Sequence, residues 1–119
     1  MKTYQRLLVF VFLGGASLLS EAALGASAKD MVGSADGFYM RKEYEFAAEE
    51  YTNFLAKLPD DAEAPRARFQ LGQCYYELKQ YAKAAAAYAE LVDKNPPEPL
   101  LAKGLYRLGE CEAKLTHWD

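Results

Sequence analysis

Histidine and tryptophan each occur once in this chain and cysteine only twice, which closes most routes to metal or redox chemistry at the outset. His117 sits beside Trp118 with no cysteine, aspartate or glutamate at metal-ligand spacing around it, and it reads as an exposed loop residue. Cys74 and Cys111 do not form a Cys-x-x-Cys pair. No glycine-rich phosphate loop, nucleophile elbow or His-Glu-x-x-His motif occurs. Glu45, Glu49 and Glu50 read as the solvated charge of a helix face. The expectation is a protein without catalytic residues, metal, cofactor or small-molecule substrate.

Positive charge is sparse as well. The 14 Lys and Arg residues face 17 Asp and Glu, for a formal net charge of −3, and beyond the adjacent Arg41 and Lys42 they are scattered along the chain without a run. Neither nucleic acid nor an anionic membrane is expected as a partner. The apolar run from Leu7 to Leu19 is ended by Ser20 and Glu21, short of the roughly 20 residues that a membrane-spanning helix needs. Lys2 and Arg6 precede this run and the small-x-small triplet Ala26-Ser27-Ala28 follows it. Residues 1–28 therefore read as a signal peptide cleaved after Ala28. No cysteine lies near that site to carry a lipid, so the mature product is expected to be soluble and periplasmic or secreted. The alternative is an uncleaved amino-terminal membrane anchor.

What the chain does have is alanine, leucine and tyrosine at helical spacing. Ala64, Ala67, Leu71, Cys74, Tyr75 and Leu78 recur at three- and four-residue steps, as do Tyr81, Ala84, Ala85, Tyr88, Leu91 and Val92. Lys79 and Gln80 separate the two stripes, which predicts an antiparallel helical hairpin. Met31, Ala35 and Phe38 begin a weaker stripe in which Gly33, Ser34 and Gly37 lower helix propensity, so this helix is expected to fray. Its partner carries Tyr44, Ala47, Ala48, Tyr51, Phe54, Leu55 and Leu58 and is closed by Pro59. Asp60 or Asp61 is expected to cap the following helix, with Pro65 in its first turn. After Pro96-Pro97-Glu98-Pro99, a last stripe runs through Leu101, Leu105, Leu108, Cys111 and Leu115.

These units repeat. A shift of 37 positions lays Ala47 on Ala84, Tyr51 on Tyr88, Pro59 on Pro96, Leu71 on Leu108, Gly72 on Gly109 and Cys74 on Cys111. A period in this range means stacked supersecondary units, none of which can bury its apolar faces without a neighbour. The expected domain covers residues 29–119, with units at 29–59, 60–96 and a partial one at 97–119, read as part of a longer array. The two cysteines share one repeat position, and equivalent helices about 8 to 10 Å apart at their axes are too far apart to bring two Cα atoms within disulfide reach, so both are expected to be buried, unpaired thiols.

Leu71-Gly72, Tyr75, Ala84, Tyr88, Leu91 and Pro96 resemble the signature of the tetratricopeptide repeat, with Arg68 where the pattern has a large leading residue. Ala35, Phe38, Ala47, Tyr51, Phe54 and Pro59 match an earlier copy. The resemblance implies an all-α, helical-hairpin solenoid of about two and a half repeats. The period, longer than the usual 34 residues, and the Pro-Asp-Asp-Ala-Glu-Ala-Pro link resemble the repeats of bacterial Tol-Pal-associated and outer-membrane-assembly tetratricopeptide proteins.

The same resemblance implies a groove lined by the first helices of successive repeats. Its contact positions fall on Lys29, Val32, Asp36, Tyr39 and Met40, on Arg66, Phe69, Gln73, Tyr76 and Glu77, and on Lys103, Tyr106, Glu110, Ala113 and Lys114. Arg66, Phe69, Gln73, Tyr76, Lys103, Tyr106 and Glu110 are the expected partner-binding residues, with Phe69, Tyr76 and Tyr106 as aromatic anchors. The lysine and asparagine clamp that some members use for a chain-terminal carboxylate is not reproduced. The function implied is a non-catalytic protein-interaction scaffold of the bacterial cell envelope, binding a protein or peptide segment. The alternative is a structural spacer or oligomerisation segment of a larger envelope protein, self-associating through the incomplete third repeat.

Overall fold

In a computed structural model, which describes residues 28–116, helix follows helix and no strand occurs among the described residues. Helix α1 covers residues 28–40, α2 Tyr44–Lys57, α3 Ala64–Glu77, α4 Tyr81–Asp93 and α5 Leu100–Thr116. From Met31 onward the chain forms one compact unit, with α2 packed on α3, α3 on α4, α4 on α5, and a smaller contact between α3 and α5. Successive hairpins thus stack as the periodicity predicts. The apolar run at Leu7–Leu19 and the His117-Trp118 end lie outside the described residues. Among those described, no helix is long and apolar enough to cross a membrane.

The two hairpin turns are built alike because both end a helix on a lysine in the left-handed region. Lys42 and Lys79 have φ of 63° and 60°. After the first helix, Lys42 N–H donates to Tyr39 O and Glu43 N–H to Phe38 O, each at 2.9 Å. After the third, Lys79 N–H donates to Tyr76 O and Gln80 N–H to Tyr75 O, again at 2.9 Å. This pair of bonds satisfies carbonyls that the helix end leaves open, and glycine usually occupies the left-handed position. An aromatic pair then braces each turn. Tyr39 meets Tyr44 with ring centroids 5.6 Å apart, and Tyr76 meets Tyr81 at 5.4 Å.

The core follows the stripes of the second helices. Tyr51, Phe54, Tyr88 and Leu91 are fully buried, and such side chains contribute about 1.5 to 3 kcal/mol each. Small residues on the facing helices make room for them. A Cβ at Gly72 would stand 2.5 Å from Tyr88 Cε1, so only glycine admits that ring. Each buried tyrosine hydroxyl also finds an acceptor, Tyr51 donating to Asp36 and Tyr88 to Gln73. Cys74 and Cys111 are both buried and unpaired, and Cys111 joins Ala84 and Tyr88 in the core between α4 and α5.

Two local expectations are corrected. Asp61 does not cap α3; its Oδ1 accepts from Glu63 N–H at 2.9 Å, one turn ahead of the helix, and Glu63 holds the cap position without a side-chain bond. Pro65 in the first turn removes a donor that such a cap would serve. On α5 the buried residues are Gly104 and Cys111, while Leu105 and Leu115 of the expected stripe are 51 % and 41 % exposed. Glycine at 104 sets this rotation, since a Cβ there would already lie 3.1 Å from Leu91 Cδ2.

Arg68 replaces the large leading residue and is buried at 3 % exposure, its Nη2 donating to Pro59 O at 2.7 Å and its Nε 3.6 Å from Glu90. The aliphatic stem fills the apolar slot while the guanidinium reaches the link at the end of α2.

Candidate protein-binding groove

Arg66 and Lys103 hold the same repeat position, as do Asp36 and Gln73, so the two junctions between first helices can be compared directly. Between α1 and α3 the junction is clasped. Arg66 Nη1 and Nη2 donate to Asp36 Oδ1 and Oδ2 at 3.0 and 2.9 Å, and Arg66 Nε donates to Glu63 at 2.7 Å. Burial pushes the Asp36 carboxyl up, but the bonds from Arg66 and Tyr51 outweigh it and hold the group below its ordinary value. Bidentate pairing of this kind fixes geometry as well as charge.

Between α3 and α5 the clasp is missing. Gln73 brings no charge, and its Oε1 is already taken by the Tyr88 hydroxyl. Lys103 has no ion-pair partner among the described residues. The space where a clasp would lie is a cleft of about 330 Å³ lined by Phe69, Gln73, Lys103, Tyr106 and Arg107. A second cleft of about 320 Å³, further along the same pair of helices, is lined by Tyr76, Glu110, Ala113 and Lys114. Arg107 and Tyr76 stand between the two, the guanidinium carbon 5.4 Å from the ring centroid. Arg107 Nη1 also donates to Glu110 Oε2 at 2.7 Å.

Six of the seven residues expected from the sequence thus line one continuous face of α3 and α5. Arg66 is the exception, because Asp36 and Glu63 occupy its guanidinium. The three aromatics also separate in kind. Phe69 packs on Tyr88 with centroids 5.7 Å apart, and both Phe69 and Tyr76 lie half-buried against the Ala84, Tyr88 and Cys111 core. Tyr106 is 66 % exposed. Packing between repeats therefore consumes much of Phe69 and Tyr76 and leaves Tyr106 at the cleft mouth.

Arg107 is the residue that the sequence reading missed. Its position one turn beyond Lys103, on the same helix face, is the signal that would have found it. Of the earlier groove positions, Val32 and Asp36 are engaged in packing and the Arg66 pair, whereas Met40 projects into solvent.

Residues 66–97 match the Tetratricopeptide repeat family. The match takes in nearly all of α3, the whole of α4 and the turn between them, the hairpin in which Gly72 admits Tyr88. No curated protein matches the chain. The fold is an all-α stack of helical hairpins consistent with a tetratricopeptide solenoid, with α1 and α2 forming one hairpin, α3 and α4 the matched one, and α5 stacked on it. Tetratricopeptide repeats generally mediate protein–protein interaction and are generally non-catalytic scaffolds.

Proposed function

We propose that this chain is a protein-interaction module of the bacterial cell envelope that holds a segment of another protein across the clefts between α3 and α5. The observation that carries the reading is the unclasped junction. Lys103 and Tyr106 present an unpaired cation and an exposed ring beside a preformed cleft, whereas the equivalent Arg66 and Phe69 are occupied by neighbours. Lys103 favours an acidic group on that segment, and Tyr106 supplies the apolar anchor with its hydroxyl at the rim. The envelope setting rests on the signal-like pattern of residues 1–28 and on the resemblance of the long repeat to Tol-Pal-associated and outer-membrane-assembly proteins.

Capture from an envelope extract with the wild-type chain, the Tyr106→Ala variant and the Lys103→Glu variant tests this reading. A partner held by the wild-type chain and lost from both variants supports it. Partners retained equally by all three overturn the groove. Export is tested separately by intact mass. A product beginning at Lys29 agrees with cleavage after Ala28, and a product beginning at Met1 in the membrane fraction supports the anchored alternative.

The spacer or oligomerisation reading draws on a different observation, the exposure of Leu105 and Leu115 on α5. Sedimentation of the chain separates it from the first, since a self-associating segment changes mass with concentration and a groove module does not.

A further inference from the structure

A third cleft, of about 310 Å³, lies between α2 and the turn that joins α3 to α4. It shares no lining residue with the two clefts between α3 and α5. Ala48, Tyr75 and Leu78 give it apolar walls, and Glu45, Glu49 and Asn53 give it polar ones. Glu45 and Glu49 are exposed, stand one helical turn apart on α2 and form no ion pair among the described residues. The Tyr75 ring already attracts one cation, since Lys83 Nζ lies 5.7 Å from its centroid, yet Lys83 does not line the cleft. One repeat later the same positions hold Ala82 and Ala86 on α4 and Glu112 on α5. There α5 packs on α4 without two acids on one wall and an aromatic ring on the other, so stacking alone does not call for them at the first junction.

From this arrangement we infer that the cleft at Glu45, Glu49 and Tyr75 takes an arginine side chain from a segment of another protein. Charge complementarity selects the occupant, because the cleft carries two carboxylates and no cation of its own. A guanidinium presents its donors in a planar fork, which lets it serve two carboxylates one turn apart while its flat face covers the ring. Its aliphatic stem lies along Ala48 and Leu78, which are apolar and line the same cleft. A lysine ammonium could meet one carboxylate as a point charge but could not bridge the pair and stack at once. The inference does not rest on the groove reading, whose residues lie on α3 and α5 and favour an acidic group instead.

The test uses the full chain and a fluorescently labelled peptide of glycine and leucine carrying two arginines, beside the same peptide with citrulline, which keeps the shape and loses the charge. Anisotropy is expected to show saturable binding of the arginine peptide, about tenfold or more tighter than the citrulline peptide. The double variant Glu45→Gln, Glu49→Gln should weaken it about tenfold while the melting curve stays unchanged, since both residues are exposed. The double variant Asp93→Asn, Glu112→Gln removes the same charge outside the cleft and should leave the affinity within about twofold. Equal weakening by the two double variants overturns the inference, because the attraction would then belong to net charge. Equal affinity for the two peptides overturns it as well, and makes the cleft an apolar contact. So does absence of binding at any soluble peptide concentration. A dimer of the full chain that Glu45→Gln, Glu49→Gln dissociates would also overturn it, by making a second copy the occupant.

Discussion

Tyr88 closes over Gly72 so tightly that position 72 has room for a hydrogen and no more. Gly109, one repeat later, faces open space. The same substitution should therefore have opposite signs at the two sites. Gly72→Ala is expected to destabilise by about 1 to 3 kcal/mol through overpacking. Gly109→Ala is expected to stabilise by up to about 1 kcal/mol through helix propensity. Urea denaturation of both variants checks the pair, and equal shifts in one direction would contradict the repeat geometry.

The left-handed lysines that end α1 and α3 invite a second substitution. Lys42→Gly and Lys79→Gly remove the clash that a Cβ suffers at positive φ, at some cost in chain entropy. Each should raise stability by about 0.5 to 1 kcal/mol, read as a higher denaturation midpoint. Lys→Ala at the same positions should gain nothing, which separates backbone relief from loss of charge.

Acid should open the first junction before the second. Asp36 is held below its ordinary carboxylate value in the folded chain, so its contribution is complete above the unfolded value near 3.8 and is lost as pH falls through the lower folded value. Wild-type protein is expected to lose stability below about pH 3.8, and Asp36→Asn should flatten that part of the profile. At neutral pH the same variant should cost about 1 kcal/mol, since the Arg66 pair is partly exposed.

Tyr76 and Tyr106 should divide stability from binding. Tyr76 lies against the core, Tyr81 and Arg107, and Tyr76→Ala is expected to cost about 2 kcal/mol or more of stability. Tyr106→Ala should change stability by less than about 0.5 kcal/mol and weaken partner capture. Thermal melts and affinity measured side by side decide it.

Thiol reactivity reports the packing of equivalent positions. Burial pushes the Cys74 thiol up to about 12 and raises Cys111 as well, so native protein should resist alkylation at pH 8. Unfolded, non-reduced protein should take up two labels. A mass lower by two hydrogens and no label would show a disulfide instead.

The fold was legible because its periodicity is carried by residues that the structure buries. Tyr51, Phe54, Tyr88 and Leu91 sit where the three- and four-residue spacing puts them. What misled was α5, where Leu105 looked like core until Gly104 set the helix rotation against Leu91 and Val92. Small residues carry close approach, and a hydrophobicity pattern does not register them. The groove positions were legible through the resemblance, but their occupancy was not. Whether a cation is paired depends on the residue one repeat away, Asp36 for Arg66 and Gln73 for Lys103, and only packing brings those together. Arg68 was opaque for the same reason, since its partner is a backbone carbonyl with no sequence signal.

Arg68 also bears on how long a repeat can be. Its guanidinium holds the Pro59 carbonyl at one end of the link, and Asp61 holds the Glu63 amide at the other. The stacking of α3 on α2 is set by the first anchor and by the helices themselves. The residues between the anchors have mostly exposed side chains that add little to that stacking. Insertions or deletions there should change the count from one repeat to the next without moving a helix, whereas the same change between Lys79 and Tyr81 would break the hairpin turn. The unusual period of this chain is therefore a property of one loop, and its helices would serve equally well in an array of ordinary length.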